Sequence, residues 1–565
     1  MQLAYRYSGS SGMVNGLTTA HLRLATNTLR DTVGFDGVLA QPVLFREALA
    51  ALYRVVVSDL KYRPKERLAY RAWLAEQDRR FLQQLAAHLP QTHERLTQLE
   101  ARLAELNRQR DQRLAGFYRA RQLYFEYVYQ QQYELRYLLD PVITVHPDEI
   151  ALEAFSRDES TYARLAARLD LFQHLTQHQC GTTNIDFSVK LHGELERMRS
   201  YRQTRLRIDP EGLTVATAQT GTHREKKIDL PDSWMQGFLQ VHSVMTLSLT
   251  RLSLAAVDLF NICRYLRRRH ARVSPRALRY ELVPGQKPLA VLEPWNHAIE
   301  LTGADRYDGA NPVSIRTWGR NRLLTIDRLL PVTQRVDVFL AGSGLPSVYV
   351  FDLGGIVFTL GLSGWTDNDW SGGTQKFDLL TRRLTVKSAE LFATYEALKE
   401  RRFAHDTTLS HQTGLGLEKT RSALSYLCQI GRAMIDLGGG GVYRYRDLFG
   451  TPLTVQEVTQ TIQAAQSPGS PREQLAQQIV EGNRVRLIMR RPTESGYKIS
   501  GSARGAKDPA PVRPLISLDH DGRIIEASCT CAFFQKQQLK QGPCEHILAL
   551  RLVHMKRLEQ EDRPT

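Results

Sequence analysis

The sequence predicts a multidomain α+β protein. It should hold a helical N-terminal arm, a mixed central domain, a winged helix-turn-helix and a C-terminal module made of a β-hairpin plus a helix. Three observations lead there. The chain has 565 residues, and single hydrophobic cores rarely grow beyond about 250–300 residues. Its apolar patterning switches repeatedly between the helical period and two-residue alternation. Three of its six cysteines, Cys529, Cys531 and Cys544, crowd near the C-terminus, with His546 two places after the last.

Residues 1–63 open on a Ser/Gly-rich stretch at 8–16 and continue with helical patterning around 22–29 and 42–60. From 64 to 140 Gln, Arg, Leu and Glu dominate. Leu96, Leu99, Leu103 and Leu106 keep a 3-4-3 spacing and Pro90 divides the stretch, so a helical hairpin or coiled-coil arm is expected. Such an arm either pairs with another protein or packs on its own domain. The span 141–385 reads as a mixed α+β domain. In it, strands at 201–208 and 213–216 should pair, and 234–266 reads as one long, largely apolar helical region. Strands at 347–353 and 356–362 join through Gly354-Gly355, a strong hairpin signal.

The span 386–452 reads as the winged helix-turn-helix. Helices are expected at 389–403, from 404 to 410 and at 417–430, with Gly414 and Gly416 at the turn. Strands at 434–437 and 442–446 then flank four consecutive glycines. In DNA-binding examples of this fold the third helix enters the major groove. Lys419, Arg421, Ser422 and Ser425 are then the candidate base readers, and Arg444 and Arg446 the phosphate contacts of the wing. The same fold also serves as a protein-docking module, and both uses stay open. The span 453–474 reads as a helix and a flexible linker, Ser467-Pro468-Gly469-Ser470-Pro471, isolating a final domain at 475–565.

In that domain the order C-T-C, twelve residues, C-E-H supplies three thiolates and an imidazole, the ligand set of tetrahedral Zn²⁺. Residues 523–528 alternate as a strand should, which aims Cys529 and Cys531 the same way. Gly542-Pro543 opens a helix whose first turn holds Cys544 and His546. Four protein ligands leave no position for an activated water, so the metal is structural.

This spacing, between a hairpin and an apolar helix, resembles the SWIM zinc finger. That module accompanies bacterial SNF-type helicases, Mutator-class transposases and plant far-red response regulators. The flanks Cys529-Thr530-Cys531-Ala532-Phe533-Phe534 and Gly542-Pro543-Cys544-Glu545-His546-Ile547-Leu548 match as well. Asp140-Pro141-Val142, Gly181-Thr182-Thr183-Asn184-Ile185-Asp186-Phe187, Leu230-Pro231-Asp232-Ser233-Trp234 and Gly364-Trp365-Thr366-Asp367-Asn368-Asp369-Trp370 are similar to a bacterial family of stand-alone SWIM proteins. Those tend to be encoded beside MoxR-type AAA+ ATPases and von Willebrand A-domain proteins. The likeness spans 1–63 and 130–565. It implies a partner that is nucleic acid or protein, and no established catalytic activity.

Charge and composition agree with a DNA partner. The 75 basic residues exceed the 59 acidic ones by 16, a balance that favours polyanions. Scattered cysteines outside the cluster suit a reducing cytoplasm. No apolar run approaches the ~20 residues of a membrane span, and residues 1–6 open no secretory leader. There is no Walker A or dinucleotide fingerprint. The basic run from Arg264 to Arg279 reads as a solvated helix end, and the acidic loop 367–378 as structural rather than calcium-binding. His174, His178 and Cys180 lack an evident fourth ligand. Nothing in the sequence brings Asp186, Asp229 and Asp232 together, and Ser343 lacks the flanks of a nucleophile elbow.

Overall fold

The computed structural model describes residues 12–15, 19–25, 34–60, 141–184, 203–209, 232–446, 471–519 and 523–561, with isolated positions at 99–109 and 195–201. Short breaks at 272, 274, 365–368, 372–376, 382–385, 494–495, 507, 509 and 540–541 interrupt these stretches. The chain divides into two compact units, one of Met1–Lys61 with Leu139–Thr565, the other Tyr62–Leu138.

In the smaller unit the described positions between 99 and 109 are helical, with Leu99, Leu103 and Leu106 exposed. Arg108 pairs with Glu105 one turn earlier. The rest of the expected hairpin, and the segment 453–470, lie outside the described residues.

The larger unit begins with strands β1 (Gly12–Asn15), β2 (Thr19–Ala25) and β3 (Gly34–Leu39) and helix α1 (Pro42–Val57). Next come β4 (Val142–Val145), β5 (Glu149–Phe155), β6 (Thr161–Arg168), β7 (Phe172–Gln179), β8 (Gly181–Asn184) and β9 (Gln203–Asp209). Helix α2 (Asp232–Met245), β10 (Thr250–Leu254) and α3 (Ala256–Arg268) precede a run of strands. These are β11 (Leu278–Leu282), β12 (Leu289–Leu292), β13 (His297–Glu300), β14 (Val313–Thr317), β15 (Arg335–Leu340), β16 (Ser347–Asp352) and β17 (Ile356–Leu362).

The centre is an antiparallel sheet in the order β10-β15-β16-β17-β6-β5-β4-β8. Every residue of β5, and all of β6 except its last, is buried, as expected of strands covered on both faces. Helix α1, entered through Pro42 at its first turn, packs on β5, β6 and β17. Phe155 and Tyr162 meet Phe238 of α2 at ring distances of 4.9 and 6.3 Å. Gly237 permits that approach, because a Cβ there would sit 2.8 Å from the Phe155 ring. The sheet β1-β2-β9-β3-β7 and the sheet β13-β12-β11-β14 complete this part of the unit.

Several readings of secondary structure change. The strand expected at 201–208 is β9, which pairs with β2 and β3, and its expected partner at 213–216 lies outside the described residues. Residues 19–25 form β2, paired parallel to β9, where a helix was expected. His21, Leu22, Arg23 and Leu24 alternate, and that period of two decides the outcome. The apolar stretch 234–266 is two helices with β10 between them. Thr250-Arg251-Leu252-Ser253-Leu254 again alternates and pairs with β15. The hairpin at Gly354-Gly355 forms as expected, and both glycines take the positive φ a tight turn needs, +81° and +124°.

Three helices follow, α4 (Ser388–Arg401), α5 (Asp406–Thr413) and α6 (Leu417–Gln429). Strands β18 (Phe403–Ala404), β19 (Ala433–Asp436) and β20 (Val442–Tyr445) form a small sheet in the order β18-β20-β19. The last part holds α7 (Pro471–Glu481), the sheet β21 (Val485–Thr493), β22 (Gly496–Ala503), β23 (Leu515–Asp519) and β24 (Ile524–Ser528), then α8 (Ala532–Gln537) and α9 (Glu545–Glu561). Helix α7 runs across the expected boundary at 475 and packs on α9.

Candidate metal centre

Cys529, Cys531, Cys544 and His546 come together at the end of the finger sheet, and one donor atom from each lies within 4.8 Å of all the others. All four residues are buried. A tetrahedral ion with Zn–S bonds of about 2.3 Å spaces its sulfurs by about 3.8 Å, so the donors need shifts of no more than about an ångström to close on it.

The two cysteines of the C-T-C pair are presented differently from the strand reading. β24 ends at Ser528, and Cys531 is the N-cap of the short helix α8, where its Sγ accepts from the Phe534 amide at 3.4 Å. Gln535 Nε2 donates to the Cys529 carbonyl at 3.0 Å and ties the helix back to the strand end. Helix α8 has no strong apolar period in Ala532-Phe533-Phe534-Gln535-Lys536-Gln537, and the sequence reading missed it. Gly542 at φ +85° turns the chain into Pro543, and Cys544 and His546 then flank the first residue of α9. Arg472 of α7 donates to the Pro543 carbonyl at 3.1 Å and lies over the Phe533 ring.

The electrostatics favour a bound cation. Hydrogen bonds from Cys529 and Cys544 hold the Cys531 thiol far below its ordinary value, while Cys529 and Cys531 push the Cys544 thiol far up. Three thiols packed so closely cannot all ionise without a positive charge among them. His546 Nε2 donates to Asp508 Oδ2 at 2.6 Å. The other ring nitrogen, Nδ1, is buried with no hydrogen-bond partner among the described residues, as befits a nitrogen kept for a metal. The donor set fits zinc.

The candidate nucleic-acid residues fare otherwise. Lys419 and Arg421 sit at the surface, each already paired with a carboxylate, Glu390 and Asp406, both at 2.6 Å. Ser422 and Ser425 are buried, because α6 lays that face against α2, and Ser425 donates to Thr246 Oγ1 at 3.4 Å. Arg444 and Arg446 are buried too. Arg444 is clamped by Asp148 at 2.8 Å, with Glu149 and Asp436 each at 3.0 Å. Arg446 donates to Glu153 at 2.9 Å and lies 4.3 Å from the centre of the Phe238 ring. Guanidiniums buried this way present no face to a phosphate, so the expected wing contacts are corrected: both arginines fasten β20 and the residue after it to the central domain. In the sequence they look like any exposed basic pair, since Asp148 and Glu153, which hold them to the central domain, lie almost 300 positions earlier.

Other sequence candidates form no site among the described residues. His178 Nε2 and Cys180 Sγ are 4.0 Å apart with no further ligand. The basic run ends α3, with Arg267 paired to Asp327. Ser343 Oγ accepts from the Arg316 amide in a loop. Asp186, Asp229 and Asp367 lie outside the described residues. No described helix is long and apolar enough to cross a membrane.

Comparison with known proteins bears on the metal centre alone. Residues 515–552 match the family described as SWIM zinc finger, and the four ligand residues fall inside that span. The chain thus carries a SWIM zinc finger, with Zn²⁺ as its metal. No curated protein matches the chain. Among solved structures, the proliferating cellular nuclear antigen of Entamoeba histolytica aligns at a TM-score of 0.28 and 10% identity, over 40% of this chain and 89% of that one. The PCNA2-PCNA3 complex of Sulfolobus tokodaii aligns at 0.28 and 8%, over 41% and 92%. Likeness at that level does not define a fold.

Proposed function

We propose that the chain is a cytoplasmic, non-catalytic recognition protein that binds DNA through the outer face of its finger sheet. One observation carries this reading: three exposed basic side chains share that face. The inner face of the sheet is covered by α9, since a Cβ on Gly501 would meet Leu550. Register then places Arg486, Arg491 and Lys498 on the opposite face, opposite Ser502, Lys498 and Ser517. All three are exposed, and among the described residues none forms an ion pair. Arg491 stands directly across from Lys498, an arrangement that costs about 0.2–1 kcal/mol in a sheet and that a polyanion would relieve. The serines beside them are short donors suited to phosphate oxygens.

We read the unit at 388–446 as a winged helix turned inward, which docks on its own chain and leaves Lys419 and Arg421 a secondary part. Fluorescence anisotropy on zinc-loaded protein and random duplexes, from low to physiological salt, tests the proposal. An Arg486→Ala/Arg491→Ala variant should bind more weakly to all sequences and lower the salt slope by about two, roughly one for each phosphate no longer neutralised. Binding with an unchanged slope would remove this face from the interface. No binding by the wild type at low salt would transfer the finger to a protein partner, such as an AAA+ ATPase or a von Willebrand A-domain protein.

A further inference from the structure

We infer that Asp508 is a positioning residue of the zinc site, dictating which nitrogen of His546 meets the metal. This rests on the zinc reading of the cluster and adds a residue outside the four ligands. Asp508 lies in the loop between β22 and β23, 38 positions before His546, and no spacing in the C-T-C…C-E-H order points to it.

The geometry is specific. His546 is fully buried, its Nε2 is 2.6 Å from Asp508 Oδ2, and its Nδ1 has no hydrogen-bond partner among the described residues. A neutral imidazole carries one N–H and one lone pair. A carboxylate against Nε2 holds the proton there and leaves the lone pair on Nδ1 for the metal. Such an outer carboxylate also makes the bound nitrogen a better donor and stops the ring from rotating. The carboxylate is itself held in place. The Gly505 amide donates to the same Oδ2 at 2.6 Å, and Arg504 Nε donates to the Asp508 carbonyl at 3.4 Å. Gly505 is required by space: a Cβ there would fall 2.8 Å from Asp508 Oδ2 and 3.2 Å from His546 Nε2. Loop, carboxylate and imidazole form one stack, and the first two contribute no metal ligand.

The test uses the full zinc-loaded chain. Long-range ¹H–¹⁵N correlation of ¹⁵N-histidine protein should show His546 metal-bound at Nδ1 and protonated at Nε2. In competition with a chromophoric chelator, Asp508→Ala should weaken zinc binding by about 10–100-fold, and its His546 should lose the single assignment. Asp508→Asn, whose amide oxygen still accepts from Nε2, should fall between the two. Gly505→Ala should weaken zinc in the same direction with the carboxylate intact. Metal on Nε2 in the wild type overturns the inference even if zinc binding itself stands. It is also overturned if Asp508→Ala melts earlier but keeps both its zinc affinity and the Nδ1 assignment, for then Asp508 only staples its loop. If Asp508→Ala does not fold, the wild-type assignment and the Asn variant decide.

Discussion

Arg444 and Asp436 show how far a single side chain's role depends on partners remote in the sequence. Read locally, Val442-Tyr443-Arg444-Tyr445-Arg446 alternates and puts its arginines on one face, which suits a wing reaching for DNA. That face is turned toward the central sheet, where Asp436 meets Arg444 at 3.0 Å and Arg164 at 3.4 Å. Burial alone would raise the Asp436 carboxyl, but the charges of Arg164 and Arg444 outweigh it and hold the group down at about 2. A carboxyl lowered on folding stabilises the protein above its unfolded value, near 4, and loses that contribution as pH falls through about 2. Asp436→Asn should therefore cost about 3–5 kcal/mol at pH 7, the usual cost of breaking a buried pair from one side. The gap to the wild type should narrow between about pH 4 and pH 2. Urea unfolding followed by tryptophan fluorescence at several pH values measures it, and a gap that stays constant down to pH 2.5 refutes the assignment.

At the scale of elements, what the sequence revealed depended on whether the determining residues were neighbours. The Gly354-Gly355 hairpin and helices α1, α4 and α6 were legible, because turn glycines and helical spacing act within a few positions. Strand β10 was masked, since its leucines continue the apolar run of the helices on either side until the sheet claims them. The zinc ligands were legible from their types and spacing, and the helix that presents Cys531 was not. Six residues form too short a helix to persist alone, so α8 depends on the metal site that Cys531 shares. Chelation should release it first: the Phe534 and Gln535 amides should approach unprotected hydrogen-exchange rates while those of β16 and β17 stay slow. Cys531→Ala, which removes ligand and cap together, should show the same exchange without chelator. Slow exchange at Phe534 after complete zinc removal would mean that α8 is held by packing on Arg472 and the sheet instead.

For the whole molecule, the Pro/Gly-rich stretch at 467–471 suggested a finger free to move independently of the rest, and the structure joins the two. Arg551, buried on α9, donates to the carbonyls of Leu379 and Thr381 at 2.8 and 2.6 Å. Thr381 Oγ1 in turn accepts from Gln429 Nε2 at the end of α6, at 2.8 Å. A helix whose N-terminus holds two zinc ligands thus reaches the third helix of the inward-turned unit through one threonine. No local pattern announces such a link, because it joins residues 170 positions apart. Zinc removal should accordingly be felt beyond the finger. Amide exchange at 377–381 and in the last turn of α6 should speed up on chelation, less than at Phe534 but above the unchanged β16 and β17. Arg551→Ala should leave zinc bound and cut that response, since it deletes two hydrogen bonds from a charged donor, each worth about 1.5–3 kcal/mol. Its α6 should exchange faster from the start and show no further change with chelator. If chelation of the wild type leaves 425–429 untouched, the metal stabilises the finger alone, and Arg551 only anchors it in place.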